Sequence, residues 1–259
     1  MTGSKEVPGV YLDDDRRQMA IDRYRSLPQY SVTFSYDRPT IAEDDIYHNF
    51  YPVELWGGGW LRLPLRYLPE HNIGIALLMT SQVDNEILRM LSERLAMRLR
   101  NHAGLKGFEI KGVAGIAKLG YGPAQRVAEQ LGMPNYIPID NSPKLWYVDD
   151  LSHPVNSVTS AAKKRVYLDP YIVERVDGNS IALVDDAVNT GESMGASHEL
   201  LMDAGATQVI WAPILKEGHQ WEARARALGV HLDDVVSLGT IPVFEPVAGG
   251  GWKPTPASL

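Results

Sequence analysis

Between residues 72 and 238, short apolar runs of strand length alternate with longer segments whose apolar residues recur every third or fourth position. This alternation limits the available folds more than any other feature of the chain. Asn72–Met79 (NIGIALLM), Glu109–Ile116, Asn135–Ile139, Ser180–Val184, Gln208–Ile214 and Val235–Leu238 read as strands. Helices are expected after Thr80 and over Gly122–Leu131, Glu192–Ala204 and Glu217–Leu228. In the first helix Val83, Ile87, Leu91, Leu95 and Leu99 form an apolar stripe with Arg and Glu between them, and Thr80 or Ser81 can cap its start. Strands and helices alternating at these lengths imply right-handed βαβ crossovers and therefore an α/β fold with a parallel sheet.

The ends read differently from the middle. Residues 1–72 form an N-terminal extension rich in Tyr, Pro and Asp, with candidate strands at Tyr30–Tyr36 and near Trp60–Leu65. Trp56-Gly57-Gly58-Gly59-Trp60 reads as a turn, since no strand feeding a helix flanks it as a phosphate-binding glycine loop requires. Residues 73–245 carry the α/β core, and 246–259, heavy in Gly and Pro, are expected to be loop.

Composition narrows the function classes. The 259 residues hold 25 Lys+Arg against 32 Asp+Glu, a net charge of −7, which argues against bulk electrostatic binding to nucleic acid or anionic membrane. Cysteine is absent, so disulfides, thiolate metal sites and cysteine nucleophiles are excluded. The seven His show neither H-E-x-x-H nor paired spacing. No apolar run approaches the ~20 residues that span a bilayer, and the opening MTGSKEVPGVYLDDDRRQ lacks an apolar signal region. The expectation is a soluble cytoplasmic protein.

The chemistry is concentrated in Ser180–Ser193, S-I-A-L-V-D-D-A-V-N-T-G-E-S. A buried-type strand ends in Asp185 and Asp186, and a short loop with Thr190 and Gly191 leads into a helix. In parallel α/β sheets ligands bind beyond the carboxyl ends of strands. Unpaired N–H groups of such a loop, together with the helix dipole, favour a phosphate. Thr190 and Ser193 add hydroxyl donors, and Gly191 permits close main-chain approach. The two carboxylates suit a diol, or Mg²⁺ reached through water, rather than a phosphate. A phosphorylated ribose meets all three demands. A Walker B strand also ends in two acids, but no G-x-x-x-x-G-K-[ST] accompanies it, and no G-x-G-x-x-G follows any strand. Simple capping of the next helix explains one carboxylate, not the whole string.

The segment Ile181–Ser193 closely resembles the motif with which type I phosphoribosyltransferases bind phosphoribosyl pyrophosphate (PRPP): four hydrophobics, two acids, a small-residue loop with Thr-Gly and a final Ser or Thr. The wider resemblance is to adenine phosphoribosyltransferase and its relatives over roughly residues 80–245, with Val113–Tyr121 (VAGIAKLGY) matching a second family strand and loop. It implies a parallel-sheet core with a hood formed by the N- and C-terminal segments. It also implies that Asp185 and Asp186 hold the ribose hydroxyls, that Ala187, Val188, Asn189, Thr190, Gly191, Glu192 and Ser193 take the 5′-phosphate, and that Ala117, Lys118, Leu119 and Gly120 meet the pyrophosphate through a peptide bond often strained in this family. The polar stretch from Asp140 to Val166 corresponds to a flexible loop closing over the reacting centre.

This chain departs from the adenine-type pattern E-x-R-G in the pyrophosphate loop, having Ala117, Lys118, Leu119 and Gly120 there. Lys118 is the remaining candidate cation, with a solvated lysine as the competing reading. Lys144, Lys163, Lys164 and Arg165 are candidate loop cations or solvated charges. Trp146 and Tyr147 are candidates to cover a base, and Trp60, Phe244 and Trp252 weaker ones. The resemblance implies a Mg²⁺-dependent enzyme, catalytic through Asp185, Asp186 and Lys118, that transfers phosphoribose from PRPP to a nitrogen heterocycle, most simply a purine-like base, in nucleotide salvage. It also implies that the metal is carried by PRPP and water, with no protein ligand assigned, and that the enzyme is a homodimer. The rival expectation is a non-catalytic PRPP- or nucleotide-binding regulator on the same fold.

Overall fold

The computed structural model describes residues 32–39, 45–155 and 164–258. Thirteen strands appear in this order: β1 (Thr33–Ser35), β2 (Phe50–Glu54), β3 (Trp60–Leu68), β4 (Ile73–Ala76), β5 (Gly112–Ile116), β6 (Ile137–Asp140), β7 (Ser152–Pro154), β8 (Arg165–Leu168), β9 (Ser180–Val188), β10 (Gln208–Glu217), β11 (Gly239–Ile241), β12 (Val243–Pro246) and β13 (Trp252–Pro254). Among the described residues four α-helices are interleaved: α1 (Asn85–Lys106), α2 (Tyr121–Gln130), α3 (Glu192–Asp203) and α4 (Trp221–Ala227).

The core is a seven-stranded sheet of order β11-β10-β9-β5-β6-β8-β7. The five strands from β11 to β6 are parallel, and β8 and β7 close one edge as an antiparallel pair. Both faces are covered. Ala114, Ile116, Leu183, Trp211, Met194, Leu200 and Leu201 share one apolar cluster that includes α3. The alternate strand residues Val113, Ala182, Val184 and Ala212 are all fully buried on the other face. There α2 packs on β5 and β9, and α1 packs along α2 and against β10. Leu91, Leu95 and Leu99 of the expected stripe are buried, whereas Ile87 is only half-buried with Leu88 buried beside it, and Val83 lies before the helix.

A second, antiparallel sheet of six strands runs β1-β3-β4-β12-β13, with β2 also paired to β3. It joins the N-terminal segment to the C-terminal one. Phe244 of β12 is fully buried and meets the edges of Tyr51 and Tyr47, with centroids 5.0 and 6.2 Å away. The turn Gly57–Gly59, all three at positive φ, reaches α1, where Arg94 donates to the Gly58 carbonyl and Arg98 lies over the Trp56 ring at 5.7 Å.

Several sequence expectations are corrected. The apolar run at Asn72–Met79 supplies β4, which pairs antiparallel with β3 rather than entering the parallel sheet, because Asn72 at φ 51° turns the chain straight back. Helix α1 starts later than its stripe suggested. Asp84 caps it by accepting from the Glu86 N–H at 2.7 Å, while Thr80 donates to the Leu119 carbonyl instead. Strand β9 runs on through Asp185 and Asp186 to Val188, held by β10 alongside, so Ala187 and Val188 are strand residues. Glu217 ends β10 and does not open a helix, which begins only at Trp221. Val235–Leu238 is not a strand, although Val236 and Leu238 each donate one bond to β10; the ladder resumes at β11. The tail contains β13 and a short 3-10 turn, Pro256–Ser258. In the N-terminal segment only Thr33–Ser35 of the expected Tyr30–Tyr36 strand is extended, and Tyr30 and Ser31 lie outside the described residues.

Candidate active site at the strand-order switch

From β5 the sheet grows in one direction through β6 and in the other through β9, so the strand order reverses between β5 and β9. At such a switch point the connections leave on opposite faces and open a crevice at the carboxyl ends of the strands. Gly115 sits opposite Val184 in the ladder, so the segment after β5 and the acids of β9 emerge side by side.

From β5 the chain enters Ala117–Gly120. Ala117 donates to the Ile139 carbonyl and Gly120 to the Ile116 carbonyl, each at 2.9 Å, and the Ala117–Lys118 peptide is cis. Lys118 is exposed and no ion pair holds it among the described residues. Gly120 is buried so tightly that a Cβ there would lie 2.6 Å from the Val184 carbonyl oxygen. This loop therefore abuts β9 at the residue just before Asp185.

Asp185 and Asp186 are partly exposed at the same edge, and the Asp186 N–H donates to Asp185 Oδ1 at 3.0 Å. Burial, reinforced by the charge of Asp186, pushes the Asp185 carboxyl well above the usual carboxylate range, and burial raises Asp186 as well. Such a pair gains from hydroxyl donors or a hydrated cation. Beyond Val188, Asn189, exposed Thr190 and buried Gly191 make the bend into α3, with Gly191 at φ 80°. Glu192 and exposed Ser193 open the helix, where the Glu192 N–H donates to Thr190 Oγ1 at 3.4 Å and the helix start as a whole favours an anion.

Among the described residues no three His, Asp or Glu side chains converge as a metal cage. Asp185 and Asp186 are carboxylates that could accept from the waters of a hydrated Mg²⁺.

The other expected loop residues divide. Trp146 donates to Asp169 Oδ2 at 3.1 Å, and Tyr147 donates to Asp140 Oδ2 at 2.5 Å. Tyr121, first residue of α2, donates to the other oxygen of Asp140 at 2.7 Å. Burial and the Asp140 bond push both phenols further up, so each stays a donor. Lys144 and Lys164 are exposed, and Lys163 lies outside the described residues. Arg165 binds Ser152, donating to its Oγ and its carbonyl, and so holds β7 to β8. Trp60, Phe244 and Trp252 all belong to the antiparallel sheet.

Two residues escaped the sequence reading. In the sequence Asp140 marks only the start of a polar stretch. Glu217 looked like a helix start, yet it is 8% exposed at the end of β10, where it accepts from Asn189 Nδ2 at 2.8 Å. An acid at the carboxyl end of an apolar run, as at Asp185, was the available signal.

The family model for the phosphoribosyl transferase domain matches residues 80–236, more than half of the chain. The chain belongs to that family. Its matched region begins at Thr80 and takes in both loops of the crevice. The bifunctional protein PyrR of Brevibacillus brevis is 27% identical over 143 residues, covering 53% of this chain and 74% of that protein. Among solved structures, adenine phosphoribosyltransferase from Thermoanaerobacter pseudethanolicus superposes with a TM-score of 0.52 at 18% identity, covering 68% of this chain and 95% of that one. The enzyme of the same name from Rhodothermus marinus gives 0.45 at 17% identity, over 68% and 92%. At 18% identity the Thermoanaerobacter pseudethanolicus structure shows a shared fold, the type I phosphoribosyltransferase α/β fold. Among the described residues no helix is long and apolar enough to cross a membrane.

Proposed function

We propose that this phosphoribosyl transferase family protein moves the 5-phosphoribosyl group of PRPP onto a ring nitrogen of a heterocyclic base, most simply a purine-like one, and releases pyrophosphate. The observation that carries the reading is the packing of Ala117–Gly120 against β9 at Val184, which sets a short loop with exposed Lys118 beside the acid pair and the opening of α3. PRPP carries a phosphate, a cis-diol and a pyrophosphate, and each has a counterpart there.

In this reading the bend Asn189–Gly191 and the first turn of α3 bind the 5′-phosphate through main-chain N–H groups. Asp185 and Asp186 accept from the ribose hydroxyls and fix the ring. Lys118 and the N–H groups of its loop meet the departing pyrophosphate. Mg²⁺ carried by PRPP would neutralise charge on the leaving group. The protein's own contribution is positioning and exclusion of water, with the strand pair β7 and β8 and the Tyr147–Asp140 bond holding the segment that borders the site. The six-stranded sheet serves as the hood that selects the base, and the working form is a cytoplasmic homodimer.

Calorimetry of PRPP into the protein, with and without Mg²⁺, tests the site. Binding should be abolished by Asp185→Asn/Asp186→Asn, and a panel of bases should then identify the one that drives pyrophosphate release. Absence of release with every base, despite tight PRPP binding, would favour a second reading: a PRPP- or nucleotide-binding regulator. The observation behind it is the uncharged Ala117 and Leu119 in the loop where the adenine-type pattern has E-x-R-G. The net charge of −7 weighs against nucleic acid as its partner.

A further inference from the structure

A carboxylate at the ligand edge of a parallel sheet is ordinarily solvated, yet Glu217 is enclosed. Its Oε2 accepts from Asn189 Nδ2, while its Oε1 is buried and has no hydrogen-bond partner among the described residues. Burying a carboxyl with one oxygen unmatched costs free energy, so an apolar residue of similar size would serve packing better. The residue it touches explains its presence. Asn189 begins the three-residue bend between the acid pair and α3, and neither Thr190, which is exposed, nor Gly191, which lacks a side chain, can anchor that bend from the sheet side. A carboxylate oxygen facing Nδ2 also fixes which way round the Asn189 amide lies.

We infer that Glu217 is a positioning residue: it holds the Asn189 side chain on the end of β10, so that the bend Asn189–Gly191 presents its N–H groups to the 5′-phosphate of PRPP in one arrangement. The inference rests on the transferase reading for its ligand, but the contact and its consequence for the bend do not.

The test compares wild type with Glu217→Leu, Glu217→Gln, Asn189→Ala and the double variant Glu217→Leu/Asn189→Ala. Glu217→Leu and Asn189→Ala should each raise the Kd and KM for PRPP roughly three- to tenfold, the span to which the net worth of one hydrogen bond converts. The kcat should change by less than about twofold, because the bond orients a binding group and not the reacting atoms. The double variant should be no worse than either single one, since both remove the same contact. Glu217→Gln, which keeps an acceptor for Asn189, should restore wild-type values. A Glu217→Leu protein with wild-type PRPP affinity, or losses that add in the double variant, would overturn the inference. The Asn189 side-chain amide resonances in ¹⁵N NMR provide a readout without PRPP. They should mark a single protected amide in wild type and an averaged one in Glu217→Leu; unchanged resonances would also overturn it. A wild type that fails to bind PRPP refutes the transferase reading, and the amide signal then decides the role of Glu217 by itself.

Discussion

Gly120→Ala is the substitution that most directly probes the crevice. Gly120 has φ −72° and ψ −16°, ordinary helical values that alanine adopts freely, so no backbone strain is involved. Only space forbids a side chain there. A Cβ would lie 2.6 Å from the Val184 carbonyl oxygen and 2.7 Å from both the nitrogen and the oxygen of Ile116. All three are main-chain atoms of strands buried in the sheet, so no rotamer change relieves the overlap. The loop must lift away from β9, and it carries with it the Gly120 carbonyl, now seated so closely over Gly115 that a Cβ at 115 would lie 2.8 Å from its oxygen. Overpacking of this kind costs about 1–3 kcal/mol. For a chain of this size that is a fall in Tm of roughly 2–12 °C.

The functional loss should be larger than the stability loss suggests. Displacing Lys118 and its neighbours by on the order of 1 Å relative to Asp185 is the kind of misplacement that costs up to about 10²-fold in rate. The assay is pyrophosphate release at varied PRPP, paired with thermal unfolding of the same preparation. Gly104→Ala is the control, since nothing lies within 4 Å of its Cβ position in α1. Should Gly120→Ala keep the wild-type Tm and a kcat/KM within about twofold, the close packing of loop on strand would have no bearing on the site, and the argument would fail.

Gly104→Ala should itself raise stability by about 0.5–1 kcal/mol, read as a higher midpoint in urea, because it removes glycine's excess freedom from a helix interior. Asp84→Ala should cost about 1 kcal/mol by the same assay, as it deletes the cap on the first turn of α1. Tyr147→Phe removes one of the two phenols on Asp140 and should cost about 1 kcal/mol; trypsin should then cut faster after exposed Lys144. For Asp185 the folded carboxyl is raised, so the native state holds its proton to higher pH than the unfolded chain, and stability falls as pH climbs through that interval. Asp185→Asn should therefore melt higher than wild type at neutral pH, with the gap narrowing as pH drops toward 4, the ordinary Asp range. The same variant should lose PRPP binding.

The parallel core was legible because short continuous apolar runs alternate with segments whose apolar residues recur at the helical period. The acid pair was legible because an Asp-Asp following four buried residues has few structural uses. What misled was any feature decided by a partner rather than by the segment itself. The apolar run containing Ile73–Ala76 fits a parallel strand as well as an antiparallel one, and only the tight turn at Asn72 and the facing residues of β3 decide. The glycine-rich tail becomes a strand because β12 pairs with it, Phe244 opposite Pro254.

The site itself follows the same logic. Ala117–Gly120 and Asp185–Asp186 are distant in sequence, and nothing local in either segment refers to the other. They meet because β5 and β9 are neighbours, and those strands are neighbours because the small, buried residues Gly115 and Ala114 admit α2 on one face and α3 on the other. Gly115 leaves room for Ala124 of α2, whose Cβ would stand 2.6 Å from a Cβ at 115. The small residue that seats the helix therefore also sets the height of the Ala117–Gly120 loop above the sheet. A bulkier residue at 115 would lift α2 and carry Gly120 with it, so the geometry of the crevice is fixed in the sheet before any ligand-facing side chain is chosen.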